Sequence, residues 1–276
     1  MSAQAPGAPL ASFEAKWIEA RPELALALRF ERVGEREARA AFACLVLEIE
    51  HAAFGIREAQ PAAIKLQWWA EELARAATGE ARHPLTQALA SRMSAAAIPP
   101  REWHAAIVGA MAQRDPEPAA DRETLLSAYA QLYVPLGAIE AALFATDATT
   151  AARALALSRA ARETAVLPDA LRDGKLTLPL DLLARHRLAR GDIGGESPAR
   201  SEALRDWFAD LARELSAVAA GGQLGVLRAT MAAADASRLA GAAKAREPLA
   251  ALNDALAGLS LPITWAAWRA ARRSRR

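Results

Sequence analysis

Asp169 and Asp173 stand four residues apart, with Arg172 and Lys175 beside them. On an α-helix, residues i and i+4 lie about 40° apart on one face, so carboxylates at this spacing converge. Converging carboxylates suit a hard cation such as Mg²⁺, but that cation wants about six oxygens, and two residues make a weak site. The principal expectation is a solvated helix end, with Mg²⁺ at Asp169 and Asp173 as the sharper alternative. Gly174 fits the position just past a helix C-terminus. Pro168 would interrupt a helix interior and push Leu167 toward an extended backbone. A second acidic pair, Glu48 and Glu50, flanks opposite sides of Ile49 at about 100° per residue, so the two cannot chelate one ion together. His51 has no carboxylate or thiol at a partner spacing, and His83, before Pro84, reads as a helix start. No Gly-rich phosphate loop, His/Cys cluster or Ser/His/Asp order stands out.

The elements that must position these residues are helices. Hydrophobic residues make up 53% of the 276, and much of that share is alanine, which favours helix and close helix packing. No segment alternates apolar and polar residues over a strand length. The expectation is an all-α protein: a disordered lead over residues 1–11, then one helical domain over 12–276. Helices are expected from Ser12, from Pro22, after Gly34, from Gln60-Pro61 to Gly79, and from His83-Pro84 to Ile98. Others are expected after Pro99-Pro100, over 121–145 with a bend at Pro135 and Gly137, over 149–167, over 201–220, from Ala236 and from Pro262. Residues 168–179 read as irregular. One cysteine, Cys44, excludes a disulfide framework. The first ten residues lack a signal pattern, and no apolar run reaches membrane-spanning length, so a cytoplasmic setting is expected. A net charge of +2 is too small to argue for nucleic acid.

Three segments in succession resemble the squalene/phytoene synthase family. They are Ile64-Lys65-Leu66-Gln67-Trp68-Trp69 with Glu71-Glu72-Leu73, then Gly79 with His83-Pro84-Leu85-Thr86-Gln87-Ala88-Leu89, then Asp169 to Lys175 running into Leu178-Pro179-Leu180-Asp181. The likeness covers roughly residues 25–190. It implies a helical bundle of the isoprenoid synthase type, which joins two prenyl diphosphates head to head with Mg²⁺ held by two aspartate-rich motifs. It also implies that Arg29, Lys65, Arg172 and Lys175 clamp a diphosphate and that Tyr129 and Tyr133 line the prenyl tunnel. Ordinary surface charge and a core aromatic pair are the plainer readings of those six residues.

The departures from the family pattern are large. The first motif needs Asp-x-x-x-Asp, and here Ala52 and Phe54 stand four residues after Glu48 and Glu50. Pro168 stands where an arginine is usual, and Thr177 where a tyrosine is usual. The pattern resembles a divergent branch with an eroded first motif, including relatives of a mitochondrial complex I assembly factor. The expectation is a catalytically impaired or repurposed family member that binds a prenyl ligand or serves in assembly. Two alternatives stand: a working Mg²⁺-dependent prenyltransferase acting on farnesyl or geranylgeranyl diphosphate, and a pure protein-binding factor. An open apolar tunnel with carboxylates at its mouth favours the former, and a filled core the latter. The tail, Trp265 and Trp268 followed by Arg269, Arg272, Arg273, Arg275 and Arg276, reads as a helix whose tryptophans pack on the domain while the arginines fray. A membrane-surface contact is the sharper alternative.

Overall fold

The computed structural model describes residues 8–276. The first seven residues of the expected disordered lead lie outside the described residues. The rest of that lead is already helical, because α1 begins at Ala8 rather than Ser12. The N-terminal half runs α1 (Ala8–Ala20), α2 (Pro22–Arg29), α3 (Val33–Glu50), α4 (Ala59–Ala77), α5 (Pro84–Ala96), α6 (Pro100–Ala112) and α7 (Arg122–Phe144). The chain continues through α8 (Ala148–Ala165), α9 (Leu167–Arg172), α10 (Leu180–Arg185), α11 (Pro198–Ala220), α12 (Val226–Ala242), α13 (Pro248–Leu256) and α14 (Leu261–Arg273). Among the described residues all regular structure is helical. Gly34 does not precede α3 but sits in its first turn. Sequence patterning missed α13, which is only nine residues long, and the first ten residues of α12, which are alanine-rich and buried almost all round and so show no amphipathic period.

Helix α7 packs between α6 and α8, and α12 between α11 and α14, with α12 also touching α2 and α8. Phe42, Ile49, Leu66, Leu132 and Ile139 all join one connected cluster of buried side chains. Close packing at α7 has an atomic cause. Pro135 lies inside the helix and lacks the N–H that would bond the carbonyl four residues back, that of Gln131. A Cβ on Gly109 of α6 would lie 2.1 Å from that Gln131 oxygen. On the other side, a Cβ on Gly137 would lie 2.5 Å from the Ala148 carbonyl of α8. Both glycines let neighbouring helices approach the α7 backbone.

The Glu72 carboxylate fixes the join between α4 and α5. Its Oε1 accepts the N–H groups of Arg82 and His83, both at 2.8 Å, and the Thr86 hydroxyl at 2.5 Å. Its Oε2 accepts from Arg75 at 3.0 Å. Burial alone would raise its pKa, but these donors outweigh it and hold the carboxyl at about 2. His83 Nδ1 accepts the N–H of Leu85, so it caps α5, and its ring meets Trp68 and Trp69 edge-on. Trp69 is buried and Trp68 partly exposed.

The C-terminal helix departs from expectation. It docks through Ile263, Ala267, Ala270 and Ala271, while Trp265 and Trp268 face outward. Three of the five arginines are placed rather than frayed. Arg269 and Arg272 lie over the rings of Trp265 and Trp268, and Arg275 donates to the Phe30 carbonyl.

Two outcomes are expected. Gly109→Ala forces the α6–α7 backbones apart and lowers unfolding free energy by about 1–3 kcal/mol or more, read from urea midpoints. A carboxyl held below its unfolded pKa contributes stability above that pKa and loses it as pH falls through the folded value. The urea midpoint therefore falls as pH drops from about 4.5 toward 2, and Glu72→Gln removes part of that slope while lowering the neutral-pH midpoint.

Candidate functional site

The acidic pair sits on a short helix of its own. Helix α8 stops at Ala165, and Pro168 falls in the first turn of α9, where its missing N–H leaves no bond unmade. The expected kink in a helix interior, and the extended Leu167, are thus replaced by a break at Val166 and a restart. Val166 supplies the carbonyl that receives the Asp169 and Ala170 N–H groups, each at 3.0 Å. At the other end Gly174 takes φ +74°, its N–H bonds the Leu171 carbonyl, and the Lys175 N–H bonds that of Ala170. This paired closure requires a left-handed residue, which favours glycine. Asp169 and Asp173 are thereby presented on one side, both about half exposed.

A guanidinium meets them there. Arg57 reaches Asp169 with Nη2 at 3.6 Å and Asp173 with Nε at 3.5 Å. Arg172 pairs with Asp169 as well. Arg57 is delivered by a single π-turn, His51–Gly55, in which the Ile56 N–H bonds back five residues to His51 at 3.1 Å. A Cβ on Gly55 would lie 2.5 Å from His51 Nδ1, so glycine leaves room for the imidazole. The three carbonyls that end this segment, those of Ala53, Ile56 and Arg57, all accept from the Arg114 guanidinium. Arg114 in turn accepts from Lys175 Nζ at its own carbonyl, at 3.0 Å. One side chain from the end of α6 thus ties the π-turn to the loop after α9.

The residues at the eroded first motif are engaged elsewhere. Glu48 accepts from Lys65 at 2.7 Å, from the Trp17 indole at 3.0 Å and from Lys16. Burial would raise its pKa, but the two lysines keep it below the usual carboxylate range. Glu50 accepts from the Tyr133 hydroxyl at 2.8 Å on the opposite side. The two carboxylates therefore diverge, as their spacing predicts. Burial, with Lys65 and Lys16 nearby, lowers the His51 pKa and favours a neutral ring.

A cavity of about 670 Å³ opens where the π-turn, the α6–α7 loop and the α8–α9 junction meet. Tyr129, Phe54 and Leu125 give it apolar wall, and Arg57, Asp169, Asp173 and Lys175 stand along it. Burial pushes the Tyr129 phenol far above its ordinary pKa, so it stays neutral. Of the residues singled out from sequence, Tyr129, Asp169, Asp173 and Lys175 come together here. The other four do not line this cavity: Lys65 is held by Glu48, Tyr133 by Glu50, Arg172 lies outside on Asp169, and Arg29 is exposed at the end of α2. Sequence reasoning missed Arg57, Arg114 and Glu163, which also borders the cavity. No local pattern marks them, because their partners are remote in sequence.

The residues present do not fit Mg²⁺. A hard cation needs about six oxygens, whereas Asp169 and Asp173 stand beside the guanidinium of Arg57, and from the first-motif segment the cavity wall receives Phe54 rather than a carboxylate. Among the described residues no group of three or more His, Cys, Asp or Glu side chains is placed to hold a metal. Arg114→Ala is expected to leave three carbonyls without their donor. Amide exchange at residues 53–57 should accelerate while that of α12 is unchanged, with a loss of about 1–3 kcal/mol in stability.

The fold has known counterparts. The squalene/phytoene synthase family model matches residues 20–269. Among curated protein sequences, none matches. Squalene synthase HpnC from Alicyclobacillus acidocaldarius has a similar structure with a TM-score of 0.56, at 15% identity over 98% of this chain and 96% of that one. A dehydrosqualene synthase solved with a ligand gives a TM-score of 0.67, at 11% identity over 91% of this chain and 98% of that one. Identities this low carry the fold alone. The family match extends over nearly the whole sequence, and the chain belongs to the squalene/phytoene synthase family, whose members are enzymes of the prenyltransferase type.

Proposed function

We propose that this chain binds a prenyl or related isoprenoid ligand in the cavity under Asp169 and Asp173 and does not ionise a prenyl diphosphate. The observation that carries this reading is the pairing of the motif carboxylates with the chain's own cations. Arg57 faces Asp169 and Asp173, and Lys16 and Lys65 face Glu48. Loss of diphosphate from an allylic carbon develops charge that a divalent metal must offset. Glu48 is firmly compensated by two lysines, which leaves Asp169 and Asp173, loosely paired with Arg57, as the two motif carboxylates open to such a metal, too few for a hard cation. The cavity, whose volume lies in the range typical of small-molecule sites, supports ligand binding over a purely protein-binding role in assembly. A reducing, cytoplasmic setting accords with one buried thiol, Cys44, whose pKa burial pushes up to about 12.

The open cavity with two carboxylates at its edge also favours a second reading, a working prenyltransferase. One assay separates the two. Incubation with farnesyl or geranylgeranyl diphosphate and Mg²⁺ is expected to release diphosphate only at the background rate. Calorimetry is expected to detect binding of farnesol or farnesyl diphosphate, weakened at least about tenfold by Ala128→Trp, which fills the cavity. Metal-dependent diphosphate release at an enzyme-like rate establishes the second reading. Absence of any prenyl binding overturns both.

A further inference from the structure

Helix α14 divides into two faces of opposite character. Ile263, Ala267, Ala270 and Ala271 are buried and dock it, mainly on α12. Leu261, Trp265, Trp268 and Arg272 follow at i, i+4, i+7 and i+11 and form the outward stripe. Their exposures are 86% for Leu261, 57% for Trp265 and 38% for Trp268, and Leu259 just before the helix is also exposed. The two indoles stack at 5.0 Å, with Arg269 and Arg272 over their faces. No Asp or Glu occurs after Asp254, whereas five arginines do. Arg275 donates to the Phe30 carbonyl and so brings the α2–α3 turn to the arginine end of the helix. That turn carries exposed Arg29 and Arg32 and the 95% exposed Val33. Its Glu31 is turned inward, onto Arg39 and the Leu227 N–H.

We propose that this surface is a docking face for an anionic phospholipid membrane. Two stacked tryptophans beside exposed leucines are the side chains that settle at the boundary between headgroups and acyl chains. The arginines around them, on a helix that carries no side-chain carboxylate of its own and with Glu31 of the neighbouring turn near Arg275 but paired with Arg39, match the charge of an anionic leaflet. The helix lies on the surface and does not cross the bilayer, since no helix among the described residues is long and apolar enough to span one. The small residues of the opposite face hold it to the bundle, so the membrane-facing stripe is presented ready-folded. Arg29, which stands apart from the cavity, belongs to this face.

The test is co-sedimentation of the full chain with phosphatidylglycerol/phosphatidylcholine vesicles and with phosphatidylcholine alone, at low and high salt. Binding is expected to the anionic vesicles only and to weaken with salt. W265A/W268A and R269E/R272E are each expected to lower the partition coefficient by about tenfold or more. Both pairs are solvent-facing, and unchanged thermal unfolding of the variants confirms that the fold is kept. Equal binding to neutral vesicles, binding unaffected by both variants, or no binding at all would overturn the proposal. So would a concentration-dependent dimer dissolved by W265A/W268A without vesicle binding, because the stripe would then serve a second copy of the chain.

Discussion

The Glu23 carboxylate, fully buried, is held by three guanidiniums, and the placement of the helices around it depends on that contact. Arg21 reaches it at 2.8 Å, Arg162 of α8 at 2.7 Å and Arg238 of α12 at 2.9 Å. Asp235 of α12 takes a second bond from Arg162, at 2.7 Å, and one from Arg238, at 3.2 Å. Burial would raise the Glu23 pKa, but the three cations drive it far below the carboxylate range, so it stays charged. Such a network adds little net stability over a well-packed apolar core, yet removing one member leaves a buried charge uncompensated at about 3–5 kcal/mol. It therefore acts as a constraint on geometry. Helices α2, α8 and α12 meet at this network, so displacing any one of them would separate buried opposite charges. Arg238 extends the constraint to the carbonyls of Ala255 and Gly258, at the end of α13 and just past it.

That constraint reaches the cavity through α8. The same helix that offers Arg162 to Glu23 carries Glu163 to the cavity wall one residue later, and its end at Val166 sets where α9 restarts. Arg159, one turn earlier, lies over the Phe54 ring and pairs with Glu163. The position of Asp169 and Asp173 is thus set from two directions: from α8 through the buried charges, and from α6 through Arg114. The buried charges lie away from the cavity, whereas Arg114 stands in its wall. Both decide whether Arg57 and the two aspartates meet.

Local rules made part of this legible in the sequence. Helix periodicity separates Glu48 from Glu50, and the structure sends one to Lys16 and Lys65 and the other to Tyr133. A glycine after a helix end marked the turn at Gly174. What stayed hidden depends on chain segments far apart. Nothing near Arg57 announces that it will face aspartates more than a hundred residues later, and the π-turn that aims it has no residue signature of its own. Pro168 misled for a simple reason. Proline is costly inside a helix and harmless in its first turn, and the sequence alone does not say which side of the break it occupies. Trp265 and Trp268 misled because large apolar side chains default to the core, whereas the four small or aliphatic residues of the other stripe dock the helix.

The pairing of Arg57 with two carboxylates bears directly on what the cavity can do. A guanidinium brings one delocalised charge and five N–H donors in a plane, and no open coordination site. It can satisfy carboxylates or hydrogen-bond a ligand oxygen, but it cannot bridge carboxylates to a diphosphate as a divalent ion does. Arg57 is more than half exposed, so its pairs with Asp169 and Asp173 are individually weak and open to exchange. An anionic or hydroxyl headgroup at the cavity edge would then compete with the aspartates for Arg57, while Tyr129, Phe54 and Leu125 receive the apolar part. Under the proposed ligand-binding function, such a site gives recognition without strong electrophilic assistance, because Arg57 offers hydrogen bonds and one charge but no open coordination position.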